Sequence, residues 1–439
     1  MTAAITHRRV LAIAIPIVIS NATVPILGAV DTFAVGQMGT AEPIGAVGLG
    51  AVLLSTLYWL FGFLRMATTG LAAQAHGRSD EAEVAALLIR GVMIGVGAGI
   101  ILIVGQWAIF PVAFSVSPAS AEVEALTRDY VGIRIWSAPA AIGLYAISGW
   151  LIALERTRDV LIVQLLVNGL NAALNLWFVL ELGWGVKGVA WATFIAEWSG
   201  LALGLWLCRD WLAARYMRNV AALLDPARLR QFGGVSTDIL IRSLFLQLIF
   251  TSFLFYGSGL GDTTLAANQV LMQFVTITAY TMDGFAFAAE SLVGQAVGAR
   301  NRADFRRSAV LSSLWAGVLM IALSALFVLA GPWFIDLLTK APDVQTAARE
   351  YLPWLIAIPL IGIGPFMLDG IFIGATRTRD MRNMMALSFA CYAAAVGVLL
   401  PVFENHGLWA ALTISFIARG VTLGWLYPRL EQSVADAPA

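Results

Sequence analysis

The sequence predicts an all-α integral membrane protein, with twelve transmembrane helices in two pseudo-symmetric six-helix lobes. Three observations carry this. Twelve long apolar stretches fill the 439-residue chain. Basic residues crowd one side of the membrane those stretches define. Short motifs recur about 221 residues apart.

A hydrocarbon core about 30 Å thick takes roughly 20 apolar residues per helix. Stretches of that kind lie at 10–35, 45–74, 87–112, 128–153, 160–182, 186–207, 232–257, 264–296, 308–331, 348–375, 383–402 and 407–428. The first follows His7-Arg8-Arg9, contains Asp31 and two prolines, and is longer than a signal sequence, so it reads as a retained span. Composition agrees: 59% of residues are hydrophobic and 12% charged, with mean hydropathy +0.82. Soluble domains carry about 25% charged residues. This composition excludes a cytosolic enzyme, a disordered chain and a nucleic-acid binder. Cys208 and Cys391, with the isolated His7, His76 and His406, offer neither a disulfide framework nor a metal cluster.

The 27 basic and 27 acidic residues cancel, so only their placement informs. With the N-terminus in the cytoplasm, nineteen basic residues from Arg8 to Arg429 fall in inner loops and tails. Only Arg128, Lys187, Lys340 and Arg349 fall outside; Arg65, Arg134, Arg242 and Arg419 fall within spans. Positive charge stays inside, which places both termini in the cytoplasm and, for a bacterial chain, the protein in the inner membrane.

Arg156-Thr157-Arg158-Asp159 recurs as Arg377-Thr378-Arg379-Asp380, and at the same shift Gln74-Ala75-His76-Gly77 falls on Gln295-Ala296-Val297-Gly298. Phe194-Ile195-Ala196-Glu197 meets Phe416-Ile417-Ala418-Arg419 one residue later. A shift of six spans keeps one membrane orientation, which is the parallel repeat of a transporter working by alternating access. The expected domains are an N-lobe over 1–208, a cytoplasmic linker over 209–230 and a C-lobe over 231–439 ending in a short tail.

Ionisable groups within spans are costly and become functional candidates. Asp31 in span 1 has no basic neighbour in sequence, and desolvation would let such a carboxylate take up a proton. Pro25, six residues earlier, removes a backbone bond and is the expected helix bend. The alternative for Asp31 is a packing role through polar neighbours. Span 5 supplies Asn168, Asn171 and Asn175, the last two a turn apart, and span 6 supplies Thr193. These suit either interhelical hydrogen bonds or hard oxygen ligation of a small cation. In the second half, Asp283 and Glu290 share a face of span 8, and Asp369 lies in span 10. They offer a proton or cation site, or else partners for an intramembrane arginine such as Arg65, Arg134 or Arg242. Asp283 and Asp369 each precede a glycine, which invites close helix approach. Asp238 and Arg242, four apart, predict a local salt bridge. Glu197 and Arg419 hold repeat-equivalent positions with opposite charge.

Fifteen Trp, 23 Phe and 12 Met suit an adaptable apolar pocket or a lipid-facing surface equally. No Gly-rich phosphate loop occurs, so ATP is not the direct energy source, and no nucleophile or metal cluster supports an enzyme. No cofactor is expected.

The chain resembles the multidrug and toxic compound extrusion (MATE) family, in its DinF-like branch. The resemblance spans nearly all of 8–428 and rests on Val30-Asp31-Thr32, on Thr69 to Ala75 with Gly77, and on Arg134-Ile135-Trp136-Ser137-Ala138-Pro139. In the second half it rests on Ala279 to Ala286, Gly294 to Arg300 and Leu368 to Arg377. It implies a MATE-like fold and export of cationic or amphiphilic drugs against a proton or sodium gradient. It implies a first-lobe coupling site of Asp31, Asn171, Asn175 and Thr193, and a second-lobe role for Asp369. The family pattern has Asp where this chain has Asn175. One ionisable group with neutral oxygens favours proton coupling over sodium, and any sodium would lie at those same four residues. Small amphiphilic or cationic molecules and membrane lipids are the expected partners, nucleic acid is not, and the expected state is a monomer. A flippase for a lipid-linked pyrophosphate precursor is the alternative; it would want arginines lining the cleft rather than paired with acids inside a lobe.

Overall fold

The computed structural model describes residues 4–38, 42–115, 119–212 and 223–435, and every described element is helical. In the first half these are α1 (His7–Gly36), α2 (Glu42–Trp59), α3 (Phe63–Gly77), α4 (Glu81–Ser115), α5 (Ala121–Arg134), α6 (Ala138–Ala153), α7 (Thr157–Leu176) and α8 (Gly185–Leu207). The second half has α9 (Pro226–Ser258), α10 (Asp262–Gly298), α11 (Arg302–Leu338), α12 (Pro342–Gly374) and α13 (Thr378–Ala435). A single 3₁₀ turn joins α2 to α3 at Leu60–Gly62, and another joins α5 to α6 at Ile135–Ser137. Pro139 at the start of α6 lacks the N–H that would carry the helix through unbroken. Each pair therefore makes one span.

Ten helices are long and apolar enough to cross a bilayer. α1 adds one more, and α13 is two helices merged across Glu404, whose φ of 48° is left-handed. Among the described residues the count is thus the expected twelve. Large apolar side chains such as Trp107 and Leu329, each 83% exposed, cover faces that only lipid can solvate.

By contacts the chain forms two compact units: Ile19–Ala75 with Ser79–Gln231, and Phe232–Ala439 with Met1–Val18 and His76–Arg78. In the first, α4 packs on α6, α7 on α8, and α5 on both α2 and α8. Its core gathers Ala34, Val35, Tyr58, Tyr130, Val131 and Val189. In the second, α12 is central, packed against α10, α11 and α13.

The repeat is built into the backbone. Ser79 and Arg300 both take a left-handed φ (58° and 52°), as do Glu155 and Thr376 (60° and 52°). Each pair is separated by the predicted 221 residues. Each turn closes with the same long backbone bond: Asp80 N to Ala75 O, Asn301 N to Ala296 O, Arg156 N to Leu151 O, and Arg377 N to Phe372 O. These are the wide loops of Schellman-type helix caps, repeated in register.

Candidate functional site

In the first unit, α7 presents Asn168, Asn171 and Asn175 along a buried face. Asn175 Nδ2 donates to Asp31 Oδ1 on α1 and, at 3.2 Å, to Asn171 Oδ1. Asn171 Nδ2 donates at 2.7 Å to Thr193 Oγ1 on α8, whose hydroxyl donates to Val189 O. The four residues that the sequence grouped for the first lobe are therefore one hydrogen-bonded chain. Asn168 lies outside it: its amide donates at 2.6 Å to Thr23 on α1, eight residues before Asp31. The side chain of Pro25, the expected bend, lies outside the described residues.

Asp31 is not alone in space. The Arg134 guanidinium at the end of α5 acts on it electrostatically. Arg134 Nη1 donates to Glu197 Oε2 on α8 at 2.8 Å and to Ser137 Oγ at 2.7 Å. Tyr58 donates to the Arg134 carbonyl at 3.2 Å, and Tyr130 lies in the same electrostatic cluster with Asp31, Arg134 and Glu197. Tyr58 and Tyr130 were not singled out from the sequence, where nothing but their presence in apolar spans marks them; Ser137 lies in the Arg134–Pro139 motif, but the motif gives it no role.

The oxygens of Asp31, Asn171, Asn175 and Thr193 could surround a small cation. Asn175 Oδ1, buried, has no hydrogen-bond partner among the described residues and is the acceptor left over. No cluster of three or more His, Cys, Asp or Glu side chains suited to a metal occurs among the described residues.

In the second unit the acids separate. Asp369 on α12 accepts from Arg242 Nη2 on α9, with Arg419 Nη1 on α13 3.6 Å from the same oxygen. This is the arginine pairing left open as the alternative to a cation site. The expected Asp238–Arg242 bridge does not form. Asp238 binds Arg382 at 2.6 Å and accepts from Thr378 at 3.1 Å, while Arg242 turns to Asp369. A buried guanidinium gains most from a desolvated carboxylate, and Asp238 finds its partner where α13 begins. Asp283 interacts electrostatically with Tyr280 on its own helix. Glu290 is buried deeper in α10, 2% exposed. Neither is among the charged groups acting on Arg419.

Both Asp-Gly steps permit close approach, as expected. A Cβ at Gly370 would lie 2.6 Å from Ala286 O, and one at Gly284 would lie 2.8 Å from Ala14 O.

The MatE family profile matches residues 16–177 and 239–399, one match in each half. The chain is 38% identical to the DNA damage-inducible protein F of Escherichia coli over 423 residues, covering 95% of this chain and 91% of that protein. It is 24% identical to a probable multidrug resistance protein NorM of Pseudomonas syringae, covering 95% and 94% of the two chains. A crystal structure of a Vibrio cholerae MATE transporter superposes with a TM-score of 0.86 over 97% of each chain at 16% identity, which shows a shared fold. A profile match in each half and a whole-length relative together make this chain a member of the MatE family, a transporter rather than an enzyme.

Proposed function

We propose that the protein is a secondary exporter that exchanges a coupling cation, with protons favoured over sodium, for organic cations or amphiphilic compounds by alternating access. The observation that carries this is the bond from Asn175 to Asp31. It puts a neutral amide where a second acid would strengthen sodium binding, leaving one carboxylate to carry the exchangeable charge. The names of the relatives, a multidrug resistance protein among them, support drug-like cargo.

Protonating Asp31 changes the charge that Arg134 sees and the bond that Asn175 donates. Proton occupancy thereby biases the conformational equilibrium that cargo also biases, and the two effects are reciprocal. We read both termini and the 209–230 linker as cytoplasmic, between lobes 1–208 and 231–439, in a bacterial inner membrane; the bias of basic residues toward one side supports this. We read the working unit as a monomer. Arg134 with Glu197, and Arg242 with Asp369, pair within single units, which favours the exporter over the flippase.

The test is purified protein in liposomes loaded with a cationic dye. Efflux driven by a proton gradient in sodium-free buffer is the expected result. Efflux that follows a sodium gradient at fixed pH, with no response to a pH jump, overturns the proton assignment. Efflux under neither gradient overturns the exporter.

A further inference from the structure

Arg242, Asp369 and Arg419 bring two guanidiniums against one carboxylate inside the second unit. Their side chains are 9%, 8% and 2% exposed. Asp369 and Arg242 both act electrostatically on Arg419. Within these three side chains two guanidiniums share one carboxylate, in a place where an uncompensated charge is strongly disfavoured.

Donors and acceptors are unevenly used: Asp369 Oδ1 is buried without a hydrogen-bond partner among the described residues, and more donors than acceptors are left over. Arg419 directs Nη1 toward Asp369 Oδ2, but its buried Nε and Nη2 meet no acceptor among the described residues. Those two atoms form one edge of the guanidinium, the fork that matches both oxygens of a carboxylate. Arg242 Nε is likewise buried without an acceptor. The surroundings are aromatic: the Arg419 guanidinium lies 5.3 Å from the Phe366 ring centre and 5.7 Å from that of Phe416. Phe250 packs on Phe416 at 6.5 Å. Rings attract a cation through their faces but supply no lone pair for its N–H groups.

We propose that Arg242, Asp369 and Arg419 form a receptor for the carboxylate of an amphiphilic organic acid, with Phe250, Phe366 and Phe416 taking its apolar body. Asp369 holds Arg242 in place and engages one end of Arg419, and the ligand carboxylate takes the unpartnered edge. The role of such an acid as cargo rests on the exporter reading; its binding does not. Cargo so recognised carries an acidic group, alone or beside a cationic one.

Three probes with one fluorescent apolar body separate the chemistry: a carboxylate, its methyl ester and a quaternary ammonium analogue. They are titrated onto the full-length protein in lipid nanodiscs. The carboxylate is expected to bind about tenfold more tightly than the ester. Arg419→Lys keeps the charge but not the fork and is expected to cut that preference to about threefold or less. Equal binding of ester or ammonium by the wild-type protein overturns the proposal, and so does an undiminished carboxylate preference in Arg419→Lys. If that variant does not fold, the wild-type comparison alone decides. Wild-type liposomes without gradient-driven efflux, but with the carboxylate preference intact, remove the exporter and leave the site. Normal dye efflux without that preference removes the site alone.

Discussion

Asn175 donates its side-chain amide to the carboxylate of Asp31, 144 residues away along the chain. Position 175, Asn where the family pattern has an acid, thus touches the carboxylate proposed to couple transport. Asn175→Asp places two carboxylates in contact, a set able to neutralise a sodium ion and retain a charge. Sodium-driven dye efflux at fixed pH should rise several-fold in liposomes. An unchanged sodium response counts against Asn175 as the determinant of ion choice.

Asp31→Asn keeps the side-chain size and an oxygen to accept from Asn175, but removes the exchangeable charge. The variant should fold and sit in the membrane as the wild type does. Its proton-driven efflux should fall to the level of empty liposomes. Wild-type efflux in this variant would take Asp31 out of the mechanism.

Glu197→Gln leaves the Arg134 guanidinium without its carboxylate. Removing one partner of a buried pair costs about 3–5 kcal/mol. Arg134 and Glu197 are 11% and 15% exposed, so the lower end applies. A lower melting temperature in detergent is expected. Replacing both residues, as Arg134→Met with Glu197→Leu, should recover part of the loss only when Asp31, on which Arg134 also acts, is neutralised as Asn in the same variant.

Gly370→Ala drives a methyl group to within 2.6 Å of Ala286 O. The obstacle is backbone on α10, so the helices must separate. Overpacking of this kind costs roughly 1–3 kcal/mol. The melting temperature should fall, whereas Gly97→Ala, where an added Cβ meets nothing within 4 Å, should not lower it.

Cys208, just beyond the end of α8, is fully buried, and burial pushes its thiol up to about 12. A raised value keeps the group protonated: at pH 8 about one molecule in ten thousand carries the reactive thiolate. Iodoacetamide at pH 8 should therefore leave Cys208 unmodified in the folded protein, as peptide mass spectrometry can show. Rapid alkylation would mean that the loop opens.

The spans were legible because lipid imposes a length and a polarity on every one of them, and the sequence shows both directly. Spacing puts Asn171 and Asn175 one turn apart and leaves interhelical hydrogen bonds and ion ligation both open. It is the family resemblance that groups them with Asp31 and Thr193, and the structure joins the four by hydrogen bonds. The partners of the charges were not legible. Asp238 and Arg242 share a helix face at hydrogen-bonding distance in sequence, yet each reaches a different helix, toward Arg382 and Asp369. Packing decided that choice between helices more than a hundred residues apart, and no local spacing encodes it. The two spans within α13, at 383–402 and 407–428, leave only four residues between them, and the break falls among those four, at Glu404.

The four helix-ending turns keep the repeat in shape where the residues differ. Ser79 corresponds to Arg300, and Glu155 to Thr376: different side chains in the same rare backbone shape. None is glycine, the residue that adopts that shape most readily. The correspondence between the halves is held at these four positions by how the chain bends rather than by the letters that occupy the bends.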